Sequence, residues 1–316
     1  MTSTYRQALP QLAGGMFLTD GGAETTYIFH EGRDLPYFAI FDLLKDEAGS
    51  DWLRDYYRRY MAIARAGGSG FILESPTWRA NPDWAAKLGY SAEALAAVNR
   101  KAIGLLCGLR DEGEETGAPV VVSGCLGPRG DGYDPGRMMN AEEAAAYHAP
   151  QLRVFAETEA DMASAMTLSY VNEAIGITRA AAAAKMPVAI SFTLETDGRL
   201  PTGQTLQSAV EETDAATDGA AAYFMINCAH PTHFSSTLTG DAPWLRRLRG
   251  IRANASKRSH AELDQASDLD AGDPVELGRD YGALRQRLPW INILGGCCGT
   301  DHRHVEAISH ACGSVR

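Results

Sequence analysis

Six cysteines occur in the 316-residue chain, at positions 107, 125, 228, 297, 298 and 312, and three of them suggest chemistry. Cys297 and Cys298 are adjacent within Gly295-Gly296-Cys297-Cys298-Gly299, and Cys228 follows Asn227 at the end of an apolar run. Neighbouring cysteines do not easily reach ordinary disulfide geometry, so the pair reads as metal ligands. Thiolates are soft donors that suit Zn²⁺, and three protein ligands leave a fourth position for water or substrate. A thiol bound there loses its proton and becomes a nucleophile at neutral pH. The flanking glycines let the backbone turn close to a metal or ligand. His230, two residues after Cys228, offers a nitrogen donor as an alternative. Cys107 and Cys312 fall on expected helices and read as core, and Cys125, at a strand end, reads mainly the same way.

These residues need a scaffold that gathers distant segments. Short apolar, β-branched runs alternate with longer amphipathic or Ala-rich stretches, the pattern of repeated strand–helix units around a parallel sheet. Eight runs stand out: Met16 to Thr19, Gly70 to Leu73, Pro119 to Ser123, Asp161 to Met166, Pro187 to Thr193, Ala221 to Asn227, Gly250 to Ala253 and Trp290 to Leu294. The fourth is weak and the seventh short. Between them, Ala141 to Asp161 reads as a helix capped by Asn140 with Glu143 completing a capping box, and Ser91 opens a helix from Ala92 to Glu115. The expected fold is α/β, a single (β/α)₈ TIM barrel over residues 1–316, with an open doubly wound sheet as the alternative. Asn254 to Asp273 is an excursion after strand seven.

In such a barrel the active-site groups sit at the C-terminal ends of the strands. That face would carry Asp20-Gly21-Gly22, Glu74 to Trp78, Gly124 to Pro128, Glu195, Asn227-Cys228 and the Cys297-Cys298 pair. Asp20 is either a turn-former or a carboxylate aimed at a substrate cation. Ser75 and Thr77 are candidates for polar contact or for capping. Asp301 suits the N-terminus of the last helix, with His302 and His304 expected to be solvated.

Composition limits the partners. A formal charge of −11, with no Lys/Arg cluster, argues against nucleic acid. The polar N-terminus and the lack of a long apolar run argue against a signal peptide or a membrane span, so a cytoplasmic protein with reduced thiols is expected.

Asp20-Gly21-Gly22, Glu74-Ser75-Pro76-Thr77-Trp78, Gly124 to Pro128, Ser191-Phe192-Thr193-Leu194, Asn227-Cys228 and Gly295 to Gly299 together resemble the homocysteine S-methyltransferases, over nearly the whole chain. The resemblance implies zinc held by Cys228, Cys297 and Cys298, with the homocysteine thiolate as an additional ligand. It implies that a methyl group passes from a small sulfonium or quaternary ammonium donor to the thiol, giving methionine. Asp20 would meet the acceptor's ammonium, while the Gly21 amide and the Ser75 or Thr77 hydroxyl would hold its carboxylate. Met166, Glu195 and Asn227 complete the expected substrate-contact set. Where the family has a glutamate at the end of strand four, this chain has Met166. The expectation is that another carboxylate, Glu24, Glu74 or Glu195, assists Asp20; the alternative is an acceptor without an amino group, such as a mercapto acid. A barrel zinc hydrolase or lyase and a non-catalytic zinc-binding homologue are the competing readings. No cobalamin-binding Asp-x-His-x-x-Gly pattern occurs, and homo-oligomerisation is left open.

Overall fold

Eight parallel strands pair in chain order and close on themselves in the computed structural model, which describes residues 3–114, 117–266 and 268–313. They are β1 (Phe17–Leu18), β2 (Gly70–Glu74), β3 (Val120–Leu126), β4 (Met162–Leu168), β5 (Val188–Phe192), β6 (Tyr223–Asn227), β7 (Leu248–Ala253) and β8 (Ile293–Gly296). Pairing of β1 with both β2 and β8 completes the ring. This is the (β/α)₈ barrel that the alternation of runs predicts, and the open sheet is excluded.

Each expected strand is present, with shifted ends. β1 is shorter than its run. β4 continues to Leu168, because Asn227 on β6 accepts the Thr167 amide at 2.8 Å and holds the strand past Met166. The helix after β3 runs Ala141–Ala156, ending before the expected Asp161, which instead accepts the Val122 amide at 2.9 Å beneath the sheet. Its capping box is as expected: Asn140 Oδ1 accepts from the Glu143 amide at 2.9 Å, and Glu143 Oε2 from the Asn140 amide at 3.0 Å. The helix opened by Ser91 spans Ala92–Glu114; its expected end at Glu115 lies outside the described residues. None of the helices in the described residues is long and apolar enough to cross a membrane.

Side chains on a strand alternate in direction, so every second residue points into the barrel. Phe17, Ile72, Val121, Met162, Ala189, Tyr223, Met225 and Ile293 fill the lower interior as one apolar cluster, joined by Leu9 from the N-terminal segment. That segment plugs the base: Arg6 donates to the carbonyls of Ala156, Thr158 and Ala160, and Asp161 accepts the Tyr5 amide at 2.7 Å. The same alternation carried upward changes character. Glu74, Ser123, Ser164, Ser191, Asn227 and Arg252 are polar and buried. Polar residues here need partners, and partners are what position the site.

The loop from β8 into the helix His302–Gly313 is pinned at both ends. Tyr281, on the helix Pro274–Arg287, accepts from the Ala253 amide at 2.8 Å and donates to the Gly295 carbonyl at 2.6 Å, tying β7 to β8. At the far end Asp301 accepts from the Arg303 amide at 2.9 Å and from its guanidinium, and His304 Nδ1 lies 3.1 Å from both the Asp301 amide and its carboxylate. His304 is therefore buried, not solvated as expected, and its Nε2 is 2.8 Å from the Ala271 carbonyl of the excursion. Burial alone would raise the Asp301 carboxyl, but the bonds to His304 and Arg303 outweigh it and hold the group well below the carboxylate range. A carboxyl depressed in the fold stabilises above its unfolded value near 3.8 and loses that contribution as pH falls toward its folded value. Asp301→Asn should therefore cost about 1–3 kcal/mol at pH 7 in urea unfolding. The gap between parent and variant should close progressively below pH 3.8; a gap independent of pH down to about 2 would sink the charge assignment.

Candidate active site

At the C-terminal rim of the barrel, β7 is the ruler for three cysteines. The Cys228 amide donates to the Arg252 carbonyl at 3.1 Å, and the Cys297 amide donates to the next carbonyl, that of Ala253, at 2.8 Å. The Ala255 amide then donates to the Cys298 carbonyl at 3.0 Å. Gly299 adopts a φ of +79°, a conformation that favours glycine, and turns the chain under the pair. All three sulfurs consequently lie within 4.8 Å of one another.

The vicinal pair is not bridged. Cys228 and Cys297 are joined as a disulfide, with Cα atoms 5.5 Å apart, and Cys298 Sγ lies 3.9 Å from Cys228 Sγ. Thiols were expected to be reduced here. The same proximity serves either state, since sulfurs that can share one metal ion can also oxidise one another. The donor set fits a soft, tetrahedral ion such as Zn²⁺: three sulfurs from two loops, with Cys298 exposed toward an open pocket. His230 is not part of the cluster. It caps the short helix Pro231–Phe234, with Nδ1 2.9 Å from Thr232 Oγ1. Burial and the neighbouring His233 depress its pKa to about 4.

Each sulfur also has a polar hydrogen nearby. Thr167 Oγ1 lies 3.9 Å from Cys228 Sγ, Asn227 Nδ2 3.8 Å from Cys297 Sγ, and the Tyr133 hydroxyl 3.6 Å from Cys298 Sγ. Donors of this kind favour the anionic form of sulfur. Asn227 is itself held fast: its Oδ1 accepts from Thr167 N at 2.8 Å and from Ser191 Oγ at 2.6 Å, and its Nδ2 donates to Thr167 Oγ1 at 2.7 Å. Thr167 and Cys228 both have positive φ, at 64° and 54°. Two non-glycine residues in the left-handed region, in contact at one site, mark stored strain of the kind found at functional centres.

A cavity of about 330 Å³ opens beside the sulfurs. Of the expected substrate residues, Asp20, Gly21, Ser75, Met166 and Asn227 line it together with the three cysteines. Thr77 and Glu195 do not. Thr77 is fully buried, its hydroxyl donating to the Cys125 carbonyl at 2.7 Å, and Ser75 Oγ lies 2.5 Å from Thr77 Oγ1 while accepting the Cys125 amide at 2.8 Å. Glu195 lies behind the wall, 3.3 Å from His260 Nδ1, and His260 Nε2 is 2.6 Å from the Cys228 carbonyl. Glu74 lines the pocket, but its Oε2 accepts from Ser164.

Sequence reasoning missed four residues of the site. Tyr133 and His260 stack with ring centroids 3.7 Å apart against the Cys228 loop. Arg252 donates from Nη2 to Asp20 Oδ1 at 2.7 Å, and the Tyr56 hydroxyl donates to Asp20 Oδ2 at 3.0 Å. Burial lifts the Asp20 carboxyl above its ordinary range, with Arg252 and Tyr56 pulling back against the rise. Burial also works against the Arg252 charge, but Asp20 and Glu74 outweigh it and raise its pKa further. The only available signal for Arg252 was its even-numbered place on β7, in step with Gly250 facing inward.

A family model described as homocysteine S-methyltransferase matches residues 17–312. Among solved structures, the oxidised form of the homocysteine methyltransferase MmuM from Escherichia coli is similar at 19% identity, with a TM-score of 0.75, over 97% of this chain and 99% of that one. Its metallated form matches at 19% identity and a TM-score of 0.73, over 96% and 98%. Those likenesses establish the shared fold, and no curated protein sequence matches. With the family model spanning nearly its whole length, the chain belongs to the homocysteine S-methyltransferase family.

Proposed function

We propose that the chain transfers a methyl group from a small sulfonium or quaternary ammonium donor to a thiol acceptor, the family reaction being homocysteine to methionine. The convergence of Cys228, Cys297 and Cys298 at the rim is the observation that carries this reading. Bound by these three residues, Zn²⁺ supplies a Lewis acid that favours the thiolate form of an acceptor thiol at neutral pH. The chain's own residues bind and align the partners. Thr167, Asn227 and Tyr133 direct hydrogens at the cysteine sulfurs, and His260 anchors the Cys228 carbonyl. Glu24 and Asp264 line the pocket along with Trp78 and Tyr133, while Asp131 and Asp270 there are paired with Arg79 and Arg258; carboxyl groups beside aromatic faces suit a cationic methyl donor. Transfer in line to sulfur needs alignment more than proton movement, and no residue has to act as acid or base. A cytoplasmic setting, where thiols stay reduced, suits this chemistry.

Cys297→Ser should lower zinc content and methyl transfer together, transfer by about 100-fold or more, with the fold intact by circular dichroism. Stoichiometric zinc and full activity in that variant would remove Cys297 from the ligand set.

Redox state should gate loading. Protein with the Cys228–Cys297 bridge intact should take up no zinc, and reduced protein about one equivalent per chain. Zinc should then slow reoxidation in a thiol titration. Equal zinc uptake by the oxidised and reduced forms would contradict the shared-ligand assignment.

A further inference from the structure

We propose that Arg252, not Asp20, meets the charged end of the acceptor, and that the acceptor is a thiol bearing a carboxylate but no amino group beside it. This rests on the thiol-methyltransferase reading above and assigns its substrate class.

Arg252 sits on β7 between the two cysteine loops, paired with Asn227 on one side and Gly295 on the other. Its guanidinium is fixed by three bonds: Nε to the Gly296 carbonyl at 3.1 Å, Nη2 to Asp20 Oδ1 at 2.7 Å and Nη2 to the Gly21 carbonyl at 3.4 Å. The residue is only 9% exposed and lines the pocket. Nη1 has no hydrogen-bond partner among the described residues, and neither does the adjacent Gly21 amide. A buried guanidinium with a free N–H beside a free backbone N–H is an anion receptor.

Of the three carboxyl groups at this end that could receive an ammonium, Asp20 and Glu74 are already engaged, and burial together with the Asp20 charge works against the charged form of the third, Glu24. Asp20 has one oxygen on Arg252 and the other on Tyr56. Glu74 is bonded to Ser164, and Met166 presents an apolar side chain to the pocket. An ammonium at this end of the pocket would have to displace a charged guanidinium from Asp20 or lie against it, and like charges in a partly dry site repel strongly. The hydroxyls that would otherwise hold a carboxylate are also committed, since Ser75 and Thr77 donate within their own chain of bonds to the Cys125 carbonyl. Arg252 Nη1 and the Gly21 amide are the free donors beside Asp20; Arg79 Nε, which also lacks a partner, belongs to a guanidinium that lies over the Trp78 and Trp84 rings.

The test compares two thioethers that differ in the amino group, 4-(methylthio)butanoate and methionine, by calorimetry on the reduced full-length protein. Neither carries a free thiol, so binding is measured apart from methyl transfer and does not depend on zinc activation. A failure of the methyltransferase reading would appear in the zinc and transfer assays, whereas a failure of this assignment appears in the binding contrast. The parent should bind the amine-free acid about tenfold or more tighter than methionine. Arg252→Gln should weaken the amine-free acid by about 30-fold, and Arg252→Lys should restore part of the loss as a point charge without the fork. Because Arg252→Gln alone strands Asp20, the pair Asp20→Asn with Arg252→Gln provides a neutral version for the same measurement. Methionine binding as tightly as the amine-free acid, unchanged binding in the folded Arg252 variants, or no saturable binding of either compound would each overturn the assignment.

Discussion

The parallel pairing of β7 with both β6 and β8 sets the spacing on which the cysteine centre depends. Cys228 and Cys297 are 69 residues apart in sequence, yet their amides bond to consecutive carbonyls of one strand. Strand separation in a sheet is nearly constant, so two loops leaving flanking strands at the same height are brought to a fixed distance across the strand between them. The Cβ directions then decide whether the sulfurs meet. Positive φ at Cys228 and the glycine turn at Gly299 supply those directions, the first at a strain cost that Asn227 and Thr167 hold in place through their mutual bonds.

The same strand supplies Arg252, and this links the cysteine cluster to the pocket beside it. Its carbonyl positions Cys228 while its guanidinium spans Gly296, Gly21 and Asp20. A change that tilts the Arg252 backbone would move the Cys228 loop, and a change to its side chain would leave the buried Asp20 carboxylate without its cation, with only Tyr56 still bonded to it. Site chemistry and site geometry are therefore coupled through one residue.

What was legible in the sequence follows from range. The sulfur cluster could be read because thiolate chemistry is specific and all three cysteines end apolar runs, which fixes the face they share once the barrel is assumed. The Asn140 capping box is local to four residues and was equally readable. β4 read weakly because Met-Ala-Ser-Ala-Met-Thr-Leu has few β-branched residues; what holds it is Asn227 on a strand two positions away in the ring. Arg252 and Asp20 are separated by 232 residues, and the charge on a strand whose neighbours are unknown gives no hint of an inward partner. His304 looked solvated beside Asp301 and Arg303 because its second partner, the Ala271 carbonyl, comes from an excursion with no periodicity to place it. Thr77 lies between two pocket residues in sequence and Glu195 lies just past the end of β5, but bonding to the Cys125 carbonyl and to His260 holds them outside the pocket lining.

A buried ion pair is rarely retained for stability, since replacing both partners with apolar groups of similar volume is often neutral or favourable, whereas removing one costs about 3–5 kcal/mol. The Asp20–Arg252 pair fits that rule only if it serves something else. It lies at the one end of the barrel where the interior is polar, and it leaves one guanidinium nitrogen unsatisfied beside a free amide. Two adjacent donors without acceptors at the wall of an open pocket are free to take an acceptor that arrives with a ligand. The pair then has a reason to persist. Asp20 and Tyr56 hold the guanidinium in its fork orientation before any substrate enters, so the acceptor's anion meets a receptor already in place and does not bear the cost of ordering it.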